Sequence, residues 1–245
     1  MGKTINIQPL SRIEGHASIK IALDDKGNVN SATTYFNSIR GFEKYVQGKP
    51  AEEVTRIVTR ICGICPWHHH LASTKAVDAC FQARVAPAGH MLRECMQNMA
   101  QINDKILHFY FLAAPDFVMG PDADYSVRNI IGIAKAAPDL ARQVIKMRQL
   151  GQMMMEKVAG KVIHPIAAVP GGFAKPMSES QRQSLIKDTQ ELFEFAKFTI
   201  AHAKENIFPK YLDEVTSLGT INTGFIGTVG DDGSLNFYDG NIRLM

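Results

Sequence analysis

The residue types best able to do chemistry crowd into one stretch, Arg60-Ile-Cys62-Gly-Ile-Cys65-Pro-Trp-His-His69-His-Leu-Ala-Ser73. Two cysteines two residues apart can grip one metal ion as thiolates. The Cys-x-x-Cys turn also lowers cysteine pKa, so the ligand form is available near neutral pH. Three ordinary readings of such a pair compete. A structural zinc site needs further ligands, and the other two thiols do not readily supply them: if residues 66–82 form one helix, Cys80 lies about 20 Å from Cys65 at 1.5 Å per residue. An antiparallel return brings Cys95 level with Cys80, so both read as core cysteines. A thioredoxin-like dithiol should follow a strand, whereas here a helix precedes it. A c-type haem site needs His directly after the second Cys, where this chain has Pro66.

The elements that must position this cluster follow from periodicity. Apolar and polar residues alternate over residues 4–8, 17–23 and 29–36, with Asp24-Asp25-Lys26-Gly27 as a hairpin turn, which predicts a small antiparallel sheet. From Pro50 the period becomes helical. Val54, Ile57, Val58 and Ile61 share a face, and Glu52 and Glu53 sit where a helix N-terminus favours negative charge. Pro66 opens the next helix, which runs to a break at Pro87-Ala88-Gly89. Helices over about 91–112 and 138–162 follow. After a loop rich in Pro and Gly at 165–176, Ser178 with Gln181 forms a capping box for a helix reaching about residue 206. Asp231-Asp232-Gly233 between short apolar runs predicts one closing hairpin. The fold class is α+β, organised as a strand region over 1–49, a helical body over 50–219 and a short hairpin over 220–245.

Composition narrows the function classes. The chain has 245 residues, 45% hydrophobic and 21% charged, with a net charge of +3 from 27 basic and 24 acidic residues. That balance excludes disorder, collagen and a disulfide scaffold. With no block of like charge, neither nucleic acid nor anionic lipid is an implied partner. No apolar run approaches the roughly 20 residues of a membrane-spanning helix. The first ten residues lack a signal-peptide centre, and Asn6 stands where a myristoylation signal needs Ser or Thr, so a cytoplasmic location is the expectation.

Arg60-x-Cys62-Gly-x-Cys65-x-x-x-His69 resembles the N-terminal metal motif of the large subunit of [NiFe] hydrogenases. Four further elements follow that family's order: Ser11-Arg12-Ile13-Glu14-Gly15-His16; Arg40-Gly41-Phe42-Glu43; Leu107-His108-Phe109-Tyr110 with Ala114-Pro115-Asp116; and His164-Pro165 with Pro170-Gly171-Gly172. The likeness is greatest to archaeal-type, viologen-reducing enzymes that do not use deazaflavin and that feed heterodisulfide reductase in methanogenesis. The resemblance implies a small antiparallel sheet followed by a mainly helical bundle.

It also implies roles. Cys62 would be a terminal nickel ligand, and Cys65 would bridge nickel to an iron carrying cyanide and carbon monoxide; soft thiolates suit both. Hydrogen would be split unevenly, the metals taking the hydride part and a base the proton. Glu14 is the candidate for receiving that proton from a cysteine sulfur, with a strand-end salt bridge as its rival role. Glu43 would hold a further magnesium or iron ion, unless it simply pairs with Arg40. His69 would donate to the bridging sulfur or the diatomic ligands. Arg60 would place positive charge near the cluster, or partner the last carbonyls of its helix. His68 and His70 read as solvated or packing residues, and His108 as a buried core histidine. The implied partners are an iron–sulfur small subunit, an electron-carrier subunit and heterodisulfide reductase, since no other cysteine set here could bind a cluster.

The resemblance stops at one point. The family's site needs four thiolates, the second pair from a D-P-C-x-x-C near the C-terminus, and this sequence has no second Cys-x-x-Cys. The matching elements cover only the front half of the family's pattern. Asp104-Lys105 also stand where Ser-His is expected. A truncated large subunit is the favoured explanation. One piece of a split subunit, completed by another polypeptide, is the second. The third is a metal-free or zinc-binding homologue with a structural or docking role in a redox complex.

Overall fold

Residues 2–244 are described here from a computed structural model. The strand-period segments form β1 (Thr4–Ile7), β2 (Ala17–Leu23) and β3 (Val29–Phe36), an antiparallel sheet in the order β1-β2-β3. Ile5 faces Ile21 and Ile19 faces Thr34. The Asp24 carboxylate closes the β2–β3 turn by accepting the Lys26 and Asn28 N–H groups at 2.8 and 2.9 Å. Alternation would bury one face of such a sheet, yet every position of β1 and β3 is exposed.

The helical body follows as α1 (Phe42–Tyr45), α2 (Ala51–Ile57), α3 (Pro66–Phe81), α4 (Pro87–Leu107), α5 (Ala114–Met119), α6 (Ile130–Ala136), α7 (Pro138–Ala159), α8 (Glu179–His202) and α9 (Leu212–Ser217). Four of these helices, α3, α4, α5 and α7, carry a proline in the first turn, as expected for Pro66, its missing N–H being one the helix leaves unpaired anyway. Pro87 therefore starts α4 rather than breaking α3, which ends at Gln82 in the left-handed conformation. The predicted capping box is present: Ser178 Oγ accepts the Gln181 N–H at 3.2 Å, and Gln181 Oε1 accepts the Ser178 N–H at 3.0 Å. After α4 the chain passes through a π-helical turn, His108–Ala113, so the predicted single helix to residue 112 is divided.

Two sequence expectations reverse here. His108 is exposed, because Tyr110 takes the inward position of that turn, with its hydroxyl 2.7 Å from Thr199 Oγ1. Two residues along a helix lie on nearly opposite sides. Cys80 is exposed for the same reason, two residues after buried Asp78. Cys95 is half-buried, and burial pushes its thiol pKa up.

Trp67 and Leu71 of α3, Met96 and Ala100 of α4, Met147, Met154 and Met155 of α7, and Leu192 and Phe195 of α8 form one apolar core. Unbranched methionines fill the irregular gaps between these helices. Gly151 lets α7 approach α4 closely, since a Cβ there would sit 3.1 Å from Asn103 Oδ1. After α7 come two short strands, β4 (Ala168–Val169) and β5 (Gly172–Phe173), which flank the Pro-Gly-Gly turn. The closing hairpin pairs β6 (Ile226–Val229) with β7 (Asn241–Leu244). The Asp231-Asp232-Gly233 turn lies between them and returns the chain only as far as a bridge from Val229 to Leu235. No described helix is long and apolar enough to cross a membrane.

A buried ion pair fixes the helices that matter for the site. Arg93 Nη1 of α4 donates to Asp78 Oδ2 of α3 at 2.5 Å, with the two side chains 1% and 10% exposed. The other guanidinium nitrogens donate to the carbonyls of Gly172 (3.0 Å) and Val169 (2.7 Å), and Asp78 Oδ1 accepts the Gly171 N–H at 2.6 Å. The Pro-Gly-Gly element is thus a backbone seat for this pair. Gly171 has φ +79°, and a Cβ on Gly89 would meet Gly172 at 3.3 Å. Removing one partner leaves a buried charge uncompensated, so Asp78→Ala is expected to destabilise the chain by about 3–5 kcal/mol in urea denaturation. A change under about 1 kcal/mol would contradict the burial. His70, also buried, has Nδ1 2.9 Å from the Thr55 carbonyl and ties α3 to α2. Burial lowers its pKa from 6.5. The unfolded chain then takes up a proton that the folded chain refuses, so stability falls as pH drops below about 6.5 and levels off below the folded value. Denaturation midpoints measured across that window should show this slope, and His70→Gln should flatten it.

Candidate metal centre

α2 and a 3₁₀ turn, Val58–Ile61, deliver the chain to Cys62, which is extended (φ −136°, ψ 128°). Cys65 then caps α3, with Pro66 as its first residue. A helix thus precedes the cysteine turn and another leaves it. The turn puts the two Cα atoms 5.5 Å apart, and the sulfurs are joined to each other. The Cys65 N–H points at Cys62 Sγ at 3.1 Å. Such N–H groups at a helix N-terminus favour thiolate once the pair is reduced. His69 lies one turn into α3, with its backbone N–H 3.4 Å from the Cys65 carbonyl. The sulfurs of Cys62 and Cys65 and a ring nitrogen of His69 all fall within 4.8 Å of one another. Cys62 is buried, and the other two residues are half-buried. Burial, and then the charge of His68, lower the His69 pKa, so the ring is held neutral and able to offer a lone pair.

The predicted carboxylate is beside this group. Glu14 Oε1 lies 3.7 Å from Cys62 Sγ and accepts the Gly63 N–H at 3.2 Å. Glu14 itself is exposed, so it stands between the sulfur and solvent rather than in a strand-end ion pair. What holds its loop is an interaction that sequence reasoning missed. Arg12 Nη1 donates to the Leu112 carbonyl and Nη2 to Asp116 Oδ1, both at 2.7 Å. Arg12 and Asp116 each stand in a quoted motif, yet nothing local says that they meet.

The other predicted residues divide. Arg60 is exposed at the end of the 3₁₀ turn. His164, in the left-handed conformation, has Nδ1 3.1 Å from the Thr59 carbonyl. Its pKa is lowered by burial and then by the charge of Arg60. Arg60 thus reaches the neighbourhood of the family's His-Pro element. Glu43 is exposed in the first turn of α1, and neither it nor Arg40 joins the cysteine group or an ion pair among the described residues. His68 and His70 both prove to be packing residues: His68 Nδ1 lies 3.0 Å from Gln97 Oε1, and His70 is buried.

The donor set of two sulfurs, one imidazole and a nearby carboxylate suits a borderline or soft metal rather than magnesium or calcium. It therefore fits half of a four-thiolate nickel–iron site, with Cys62 and Cys65 as the thiolates present. Cys80 and Cys95 do not join the group.

The nickel-dependent hydrogenase family matches residues 40–144, and a HoxL-like family matches residues 4–37. The chain is 46% identical over 245 residues to the A subunit of the vhu F420-non-reducing hydrogenase of Methanocaldococcus jannaschii, covering all of this chain and 58% of that protein. It is 43% identical over 243 residues to the A subunit of the F420-non-reducing hydrogenase of Methanothermobacter thermautotrophicus, covering 98% of this chain and 51% of that protein. Among solved structures, an NAD+-reducing [NiFe]-hydrogenase in the H2-reduced state superposes with a TM-score of 0.93 at 38% identity, covering 99% of this chain and 54% of that one. The Ni-Fe-Se hydrogenase from D. vulgaris Hildenborough superposes at 0.80 with 26% identity, covering 96% of this chain and 50% of that one. The chain spans about half the length of the relatives it matches. Matched along its whole length by these sequences and sharing the fold of these structures, the chain belongs to the nickel-dependent hydrogenases, as part of the large subunit.

Proposed function

We propose that this chain is the part of a [NiFe] hydrogenase large subunit that supplies two of the four thiolates of the metal centre, serving the reversible oxidation of hydrogen to protons and electrons. The observation that carries the reading is the meeting of Cys62, Cys65, His69 and Glu14 at the start of α3. Nickel and iron, with cyanide and carbon monoxide on the iron, would supply the Lewis-acid pull that polarises hydrogen. The chain's own residues do the rest. Cys62 and Cys65 would hold the centre from one side. His69 would orient the Cys65 sulfur from one helical turn away. Glu14 Oε1 takes a proton from the Cys62 side and passes it toward solvent, because its carboxylate lies 3.7 Å from that sulfur and is itself exposed. Arg60 keeps positive charge near an anionic cluster.

A polypeptide carrying a second Cys-x-x-Cys completes the site, as a continuation of this chain or as a separate one. An iron–sulfur small subunit takes the electrons. The likeness to F420-non-reducing hydrogenases supports an electron-carrier subunit and heterodisulfide reductase beyond it, in a cytoplasmic complex of methanogenesis. Glu43 is proposed to hold a magnesium or iron ion once that assembly is complete.

Metal analysis of the complete assembly separates this reading from a docking role: nickel with iron supports it, and zinc alone overturns it. In that assembly Cys65→Ser should abolish hydrogen uptake while the far-ultraviolet circular dichroism of the helical body stays unchanged. Uptake near the normal rate would refute the assignment. Glu14→Gln should lower uptake by about 10²–10⁴-fold, the usual contribution of a positioned acid or base, with nickel and iron content retained. Loss of metal instead would make Glu14 a structural residue.

A further inference from the structure

The donors at the cysteine turn come from one short piece of chain and need nothing from another polypeptide to converge. Cys65 caps α3 and His69 follows four residues later, which puts both on the same face of the first turn. Cys62 reaches back to them through the turn, with its sulfur already hydrogen-bonded by the Cys65 N–H. Two sulfurs and an imidazole nitrogen within 4.8 Å of one another make up three of the four donors of a tetrahedral site. With metal–sulfur bonds of about 2.3 Å and metal–nitrogen bonds of about 2.0–2.1 Å, such donors stand roughly 3.5–3.8 Å apart, so closure asks for shifts of about an ångström. The Glu14 carboxylate, 3.7 Å from Cys62 Sγ, flanks the remaining position, which it or a water can fill.

We propose that this chain alone binds one divalent ion of borderline or soft character, such as zinc or cobalt, through Cys62, Cys65 and His69. His69 is then a metal ligand in the unassembled chain, not only a neighbour of sulfur. The inference does not rest on hydrogen chemistry: it asks only whether three donors on one segment hold one ion without a second cysteine pair. The joined sulfurs must first be reduced. A phosphine does this, giving two thiols and the phosphine oxide, with the oxygen and both hydrogens drawn from water. The ion then displaces the two thiol protons to solvent as its bonds to sulfur form, and the neutral imidazole donates its lone pair.

The test is anaerobic titration of the phosphine-reduced, full 245-residue chain with Co2+. The expected result is one ion per chain, with sulfur-to-cobalt charge-transfer bands and the intense visible bands of tetrahedral cobalt. Cys62→Ser and Cys65→Ser should each weaken binding and reduce the sulfur-to-cobalt charge-transfer bands. His69→Ala should weaken binding by at least about tenfold and shift the visible bands, since even groups one shell out from a metal are worth that much. Equal affinity and unchanged bands in His69→Ala would overturn the proposal. So would binding that ignores both cysteines. X-ray absorption on the zinc-loaded wild-type chain guards against a variant that fails to fold: two sulfurs and one imidazole around zinc support the site, and absence of imidazole scattering sinks it.

Discussion

The Arg93–Asp78 ion pair is the constraint on which the rest of the arrangement depends. It is buried between α3 and α4 and spends its remaining hydrogen bonds on the backbone of residues 169–172. A guanidinium with every arm engaged can be buried, whereas a loosely paired one would be too costly to take from water. Because three separate segments must be in place to satisfy it, the pair fixes the direction of α3. The first turn of α3 carries Cys65 and His69, so the geometry of the metal-binding group is set from some three turns away. His70 adds a second anchor on the same helix through the Thr55 carbonyl, on the side that leads into the cysteines.

The site is built from backbone as much as from side chains. Peptide N–H groups of Gly63 and Cys65 point at Glu14 and at Cys62 Sγ, and the positive end of α3 lies next to both. These dipoles favour thiolate at the cysteine turn once the pair is reduced. Loops that carry such groups need a rigid support. Here Arg12 supplies it by bridging the Glu14 loop to the Leu112 carbonyl and to Asp116 of α5. The sheet, the cysteine turn and the π-helical turn after α4 therefore meet at one place. Four of the five sequence motifs contribute to that meeting or to the ion pair behind it. The Arg40–Glu43 element does not, and both Arg40 and Glu43 are exposed.

Local rules made much of this legible in the sequence. Prolines in the first turn mark helix starts, Ser178 with Gln181 marks a cap, alternation marks three strands, and Cys-x-x-Cys followed by a histidine one helical turn later marks a metal-binding face. Each of these signals acts within a few residues, where backbone geometry alone decides which atoms can meet. The same reasoning failed where packing overrode it. Alternation in β3 did not bury a face, and apolar surroundings in sequence did not bury His108 or Cys80.

By itself, then, the amino-acid sequence determined the chemistry available: two thiols, an imidazole and a carboxylate in motifs of one family, and only half the thiolates that family uses. The tertiary structure decided which of them meet. Glu14 and Gly63 are 49 residues apart, and Arg12 and Asp116 are 104. Contacts at such separation depend on how whole helices pack, and on the loop closure that packing must offset, and neither quantity is written in any short window of residues.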